Sequence, residues 1–297
     1  MATRFEGCFT AIVTPYEGTG IRADVDWQAF ERLVEMQNAG GIAGIVPCGT
    51  TGESPTTSHE EHNRLVATAI DKCKGKVIAG TGSNCTWEAI EMSKHAADAG
   101  ADATLQVCPY YNKPSQEGLY RHFAAVAGAV DIPHVLYNIP GRSSREIAPQ
   151  TMARLANEYS NIIGVKEASG KREVWQAIRE ACGKEFLMLS GNDGDTYEIM
   201  KDFGARGVVS VASNIAPKRM QEFAQIGLKG DFEEMAERHG ELEEFFEVLF
   251  IDTNPIPVKE ALNMMGFKMG FRYPLCETTS ENRARIRQVL QKYGFVK

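Results

Sequence analysis

Nowhere does the chain run for about 18 apolar residues without interruption, so it offers no membrane-spanning helix. Its opening residues, MATRFEGCF, hold no apolar core of signal-peptide length, and export is not expected. CxxC pairs are missing too. The seven cysteines, Cys8, Cys48, Cys73, Cys85, Cys108, Cys182 and Cys276, are odd in number and scattered, which excludes a disulfide framework or a zinc knuckle and points to a reducing, cytoplasmic setting. A Gly-rich dinucleotide fingerprint is lacking, and no Lys-Ser or Lys-Thr follows a glycine loop to hold phosphate. The HExxH zinc pattern is also absent: His59 and His62 stand three apart in HEEH, where a helix start after Ser58 is the better account. Nothing in the sequence requires a metal. Basic residues are outnumbered, 32 Lys and Arg against 39 Asp and Glu, for a net charge of -7. A binder of nucleic-acid backbone needs a basic face, so nucleic acid is not an expected partner. Small anionic substrates remain open, because a few placed groups set the field of a pocket.

What is present is a soluble composition, 43% hydrophobic and 24% charged, over 297 residues. That length suits a (β/α)8 barrel of roughly 250 residues with an appendage. Short Val- and Ile-rich runs recur at Cys8–Pro15, Ile42–Cys48, Val77–Gly82, Ala103–Pro109, His134–Pro140, Ile162–Ala168, Phe186–Gly191 and Gly207–Ser213. Each reads as the continuous apolar segment of a buried parallel strand. Between them lie stretches with helical spacing, including Trp27–Met36, Glu60–Ile70, Trp87–Ala97, Gly118–Val130 and Val174–Ala181. The alternation predicts an α/β fold, a (β/α)8 TIM barrel over residues 1–230. From Asp231 the pattern turns wholly helical, with Phe232, Met235, Leu242, Phe245, Phe246 and Leu249 at helical spacing and further helices at Val258–Met265 and Glu281–Tyr293. Residues 231–297 therefore form a C-terminal helical appendage. The glutamates 233, 234, 237, 241, 243, 244 and 247 read as its solvated face and not as a metal site.

Catalytic groups of such a barrel sit at the C-terminal ends of its strands. Lys166, in IIGVKEA, is a lone cation near the end of an apolar strand. Loss of water favours the neutral amine, a nucleophile able to form an imine with a ketone. The competing reading pairs it with Glu167, but adjacent strand residues point to opposite faces. Tyr137, in LYNIP, ends the preceding strand and can relay protons, or else simply pack under a loop. GTTGES, Gly49–Ser54, offers backbone amides and the hydroxyls of Thr50 and Thr51 as an anion nest, or is a tight connection. In PYYN, Tyr110 and Tyr111 point different ways, one toward a site and one toward an interface or second pocket. Arg142, in IPGRSS, can clamp a carboxylate or lie solvated on the surface.

Taken together, GTTGES, PYYNKPSQEGLYRHF, LYNIPGR, GVKEASG, SGND and NPIPVKEAL resemble the dihydrodipicolinate synthase family of pyruvate-dependent Schiff-base lyases, over about Phe5 to Tyr293. The resemblance implies a lyase of lysine and diaminopimelate biosynthesis that joins pyruvate to L-aspartate 4-semialdehyde without a cofactor. It implies that Lys166 carries the imine while Tyr137, Thr50 and, from a neighbouring subunit, Tyr111 pass protons. Thr51 and the Thr50 amide would bind the pyruvate carboxylate, Arg142 the semialdehyde carboxylate, and backbone near Gly191 and Val209 would shape the pocket. Members inhibited by lysine bind it at positions that appear here as Ser54, His59, His62, Asn84, Glu88 and Tyr110, with Pro55 where some sensitive members carry alanine. A shared relay further implies a homo-oligomer, a tetramer built as a dimer of dimers. N-acetylneuraminate lyases and 2-keto-3-deoxy sugar acid aldolases use the same imine, but Arg142 and Thr50 favour the synthases. A catalytically silent ligand-sensing barrel would have no need of Lys166, Tyr137 and Thr50 together.

Overall fold

The structure, a computed structural model, describes residues 5–297; the first four residues of the segment read above for an export signal lie outside the described residues. Eight parallel strands pair in chain order and close on themselves: β1 Gly7–Ala11, β2 Gly44–Val46, β3 Lys76–Gly80, β4 Ala103–Val107, β5 His134–Asn138, β6 Ile162–Glu167, β7 Leu187–Ser190 and β8 Gly207–Ser210. The connecting helices are α1 Trp27–Gly40, α2 His59–Lys72, α3 Thr86–Ala99, α4 Gln116–Ala129, the single turn α5 Pro140–Ser143, α6 Pro149–Glu158, α7 Arg172–Cys182 and α8 Thr196–Phe203. After β8 come α9 Pro217–Lys229, α10 Phe232–Val248, α11 Ile256–Met264 and α12 Ser280–Lys292. The expected TIM barrel and its helical C-terminal region are both present.

The barrel has two apolar layers because strand side chains alternate. Phe5, Phe9, Val46, Ile78, Leu105, Val135, Tyr137, Leu189 and Val209 fill the interior. The alternate positions, such as Cys8, Ile45, Val77, Leu136, Val165 and Val208, pack outward against the helices. Close strand approach decides some positions: a Cβ on Gly164 of β6 would stand 2.3 Å from the Leu187 carbonyl oxygen. Helix starts are fixed by local chemistry. The Asp26 carboxylate accepts from the Ala29 amide, and at Ser58 a full capping box forms with Glu61, as the sequence suggests for the segment holding His59 and His62.

The ladders stop two to four residues earlier than the apolar runs at most strands; β2, for example, ends at Val46 and not at Cys48. The reason is local. Pro47 has no amide to donate, and Cys48 takes a positive φ of 55°, so the chain leaves the sheet while still buried. These apolar overruns build the mouth of the barrel.

The acidic face of α10 is solvated as expected, with Glu244 tied to Arg285 at 2.7 Å and also to Lys292, both on α12. No helix among the described residues is long and apolar enough to cross a membrane.

Candidate active site

Lys166 is the penultimate residue of β6, and Tyr137 the penultimate residue of β5, and the two are register partners. Both are buried, Lys166 at 6% and Tyr137 at 5% exposure. The Lys166 ammonium nitrogen lies 4.2 Å from the centre of the Tyr137 ring. Glu167, by contrast, points to the outer layer. There its carboxylate accepts from Asn138 Nδ2 at 2.8 Å and from the Ser169 amide at 2.6 Å, so it is engaged away from Lys166. Burial pushes the Glu167 carboxyl up, and these hydrogen bonds oppose that.

The Tyr137 ring faces a cavity of about 380 Å³ at the C-terminal end of the barrel. Thr50 and Arg142 line it as well. Thr51 is buried beside Thr50, and its hydroxyl accepts from Asn254 Nδ2 at 3.0 Å. Within GTTGES the amides of Gly52, Glu53 and Ser54 already donate to the Gly49 and Thr50 carbonyls. Those three amides are therefore engaged within the turn and do not serve the anion nest expected over Gly49–Ser54. Arg142 is exposed, yet it is tethered at the edge of this cavity, where its guanidinium donates to the Asn254 backbone carbonyl at 3.1 Å. Lys166 and Thr51 adjoin residues of the cavity lining without being part of it, and Gly191 and Val209 are not part of it either. Val209 packs in the barrel interior with Tyr137, and a Cβ at Gly191 would collide with Ala168 Cβ at 2.5 Å.

The same cavity continues to Ser54, His59, His62, Glu88 and Tyr110. The Glu88 carboxylate accepts from the Ser83 hydroxyl and pairs with His59 Nε2 at 2.8 Å; the Ser83 hydrogen bond chiefly holds Glu88 below its ordinary range. Burial, with Glu88 nearby, pushes the Tyr110 phenol up. His62 Nε2 meets the Gly80 carbonyl oxygen at 2.8 Å, and burial lowers its affinity for a proton. Asn84 stands outside the lining, where its Nδ2 donates to the Tyr110 carbonyl. Glu88 is the only carboxylate among the described residues that line the cavity. Tyr111 leaves this chain's cavity altogether: 88% exposed, it takes a positive φ of 71°, a conformation costly for a bulky residue.

Residues 4–293 match the family model described as the Dihydrodipicolinate synthetase family. The chain belongs to that family. The 4-hydroxy-tetrahydrodipicolinate synthase of Hydrogenobaculum sp. is 46% identical over 98% of this chain and 99% of its own. Among solved structures, a dihydrodipicolinate synthase from Cyanidioschyzon merolae with lysine bound superposes with a TM-score of 0.93 at 40% identity, over 98% of this chain and 99% of that one. A monomeric dihydrodipicolinate synthase variant gives 0.94 at 38% identity, over 98% of each chain. Like these relatives, this member of the dihydrodipicolinate synthetase family is a lyase built on a barrel with a helical C-terminal part.

Several groups around the site of this synthetase-family chain escaped the sequence reading. Glu53, at a positive φ of 54° in the GTTGES turn, makes a fully buried ion pair with Lys259 of α11. Burial pushes the Lys259 ammonium down to about 8 and the Glu53 carboxyl up, each opposed by the partner's charge. The rings of Tyr16 and Phe271 flank the ammonium at 4.6 and 4.9 Å. Arg272 grips Glu61 with two nitrogens, at 2.7 and 2.6 Å. Asp193, in SGND, is buried and accepts from the Val211 and Ala212 amides. The available signals were GTTGES, SGND and NPIPVKEAL, motifs that carry the resemblance without naming a role for Glu53, Asp193, Asn254 or Lys259.

Proposed function

We propose that this chain condenses pyruvate with L-aspartate 4-semialdehyde to give 4-hydroxy-tetrahydrodipicolinate, on the route to diaminopimelate and lysine. The observation that carries the reading is the buried amine of Lys166 held against the Tyr137 ring at the barrel mouth. The neutral amine attacks the C2 carbonyl of pyruvate, and the carbinolamine loses water to leave an imine. Proton transfers at the carbinolamine oxygen pass through Tyr137 and Thr50. Removal of a C3 proton gives the enamine, whose C3 attacks the aldehyde carbon. The amino group of the second substrate then attacks the imine carbon, closes the ring and releases Lys166. Thr51 and the Thr50 amide bind the pyruvate carboxylate, and Arg142 the carboxylate of the semialdehyde.

The exposed, strained Tyr111 supports a relay completed between subunits, and the chain is read as a homotetramer working in the cytoplasm. The acidic end of the cavity, Glu88 with Ser54, His59, His62, Tyr110 and the adjoining Asn84, is read as a feedback site for L-lysine, whose ammonium groups suit Glu88. Residues 231–297 act as a buttress to the catalytic barrel of residues 1–230, through Lys259 and Arg272. Nothing in the geometry favours a sugar-acid aldolase or a silent barrel. A coupled assay offering pyruvate with either the semialdehyde or N-acetylmannosamine tests the substrate: turnover is expected with the first, and turnover with the second alone would overturn the reading.

A further inference from the structure

We propose that Asn254, which lies in the C-terminal region and outside the barrel, is a positioning residue that aims the Thr51 hydroxyl at the pyruvate carboxylate. The inference rests on the reading of Thr51 as a ligand of that carboxylate. Asn254 is buried at 6% exposure, and its Nδ2 donates to Thr51 Oγ1 at 3.0 Å across 203 positions of sequence. A hydroxyl has one proton and two lone pairs. With one lone pair taken by the Asn254 amide, the Thr51 proton must point elsewhere, and Thr51 is itself only 3% exposed. An anion bound at the start of the GTTGES turn is an acceptor for it. A hydroxyl that is already accepting is also a stronger donor, because hydrogen-bonded chains polarise one another.

The Asn254 side chain holds Thr51 through Nδ2, with its Oδ1 buried and unpartnered among the described residues, while the backbone of the same residue is anchored separately. Its backbone carbonyl oxygen accepts from the Arg142 guanidinium at 3.1 Å, so one residue touches both groups read as carboxylate ligands. The chain then enters α11, whose Lys259 pairs with Glu53, two residues beyond Thr51 in the same turn. The separation of Asn254 and Thr51 is thereby fixed by a buried ion pair as well as by their own contact.

The experiment compares kcat and KM for each substrate in the full-length enzyme and its Asn254→Ala, Asn254→Asp, Thr51→Val and Asn254→Ala/Thr51→Val variants. Asn254→Ala should raise KM for pyruvate about 3- to 10-fold, the worth of one hydrogen bond, with kcat nearly unchanged. Asn254→Asp should raise it further, since an ionised carboxylate only accepts and turns the Thr51 proton away from the substrate. KM for the semialdehyde should hold in both, because Arg142 is bound through the Asn254 backbone. In the Thr51→Val background, Asn254→Ala should add nothing. If it multiplies KM by the same factor there, or leaves KM unchanged in the otherwise native enzyme, the inference is overturned alone. If Thr51→Val leaves KM for pyruvate unchanged, the carboxylate reading falls and takes the inference with it. Should Asn254→Ala not fold, Asn254→Ser removes the amide donor with a smaller loss of volume and carries the same comparison.

Discussion

Lys166 and Glu167 are chain neighbours with opposite surroundings, because successive strand residues face opposite sides of the barrel. The lysine meets the Tyr137 ring in the interior, and the glutamate meets Asn138 and Ser169 in the outer layer. A substitution at one should therefore not mimic the other. Lys166→Ala is expected to abolish condensation, while Tyr137→Phe should keep the imine and lower kcat by roughly 10²- to 10⁴-fold, the usual contribution of a positioned proton donor. Steady-state rates check both, and a Tyr137→Phe enzyme at full rate would remove the phenol from the relay. Arg142 belongs to the same scale. Its replacement by alanine should raise KM for the semialdehyde, by about 1.5–3 kcal/mol if one charge-assisted hydrogen bond is lost.

At the scale of elements, the C-terminal helices reach the site through buried charge. Removing Lys259 alone, as in Lys259→Met, leaves Glu53 buried without its partner and should cost about 3–5 kcal/mol of stability; replacing Glu53 by leucine in the same chain should restore much of it. Denaturant midpoints of the single and double variants decide the point. The Arg272 fork on Glu61 gives a pH test. Hydrogen bonds from Arg272, foremost among the causes, hold the Glu61 carboxyl down from 4.5 to about 2 in the folded chain. A carboxyl depressed on folding stabilises fully above its unfolded value, and the gain is lost as pH falls through about 2. Glu61→Gln should therefore flatten the decline in stability between about pH 4.5 and 2; an unchanged slope in urea melts would assign the decline to other groups. These ties also mark where sequence reading stops. The strands were legible because parallel strands buried on both faces read as continuous apolar runs, and Lys166 because it interrupts one. The ends of the ladders were not legible, since Cys48 and its counterparts stay apolar after leaving the sheet. Glu53 with Lys259 and Thr51 with Asn254 join positions 206 and 203 residues apart, and no local period announces such contacts.

At the scale of the whole molecule, the proposed relay has one subunit completing the site of another. A Lys166→Ala subunit keeps Tyr111, and a Tyr111→Phe subunit keeps Lys166. Unfolding and refolding the two together should produce some sites with both groups and an activity above either parent; no gain on mixing would place the relay within one chain. A titration of initial rate with L-lysine tests the acidic end of the cavity, where inhibition should be lost in Glu88→Gln, and a flat response in the parent would remove the effector role. All of these depend on the buried amine of β6. Borohydride reduction in the presence of pyruvate, followed by peptide mass analysis, tests it most directly. The expected result is the mass of one reduced pyruvate adduct on the peptide bearing Lys166; an unmodified Lys166 peptide from an enzyme that still turns over would contradict the account.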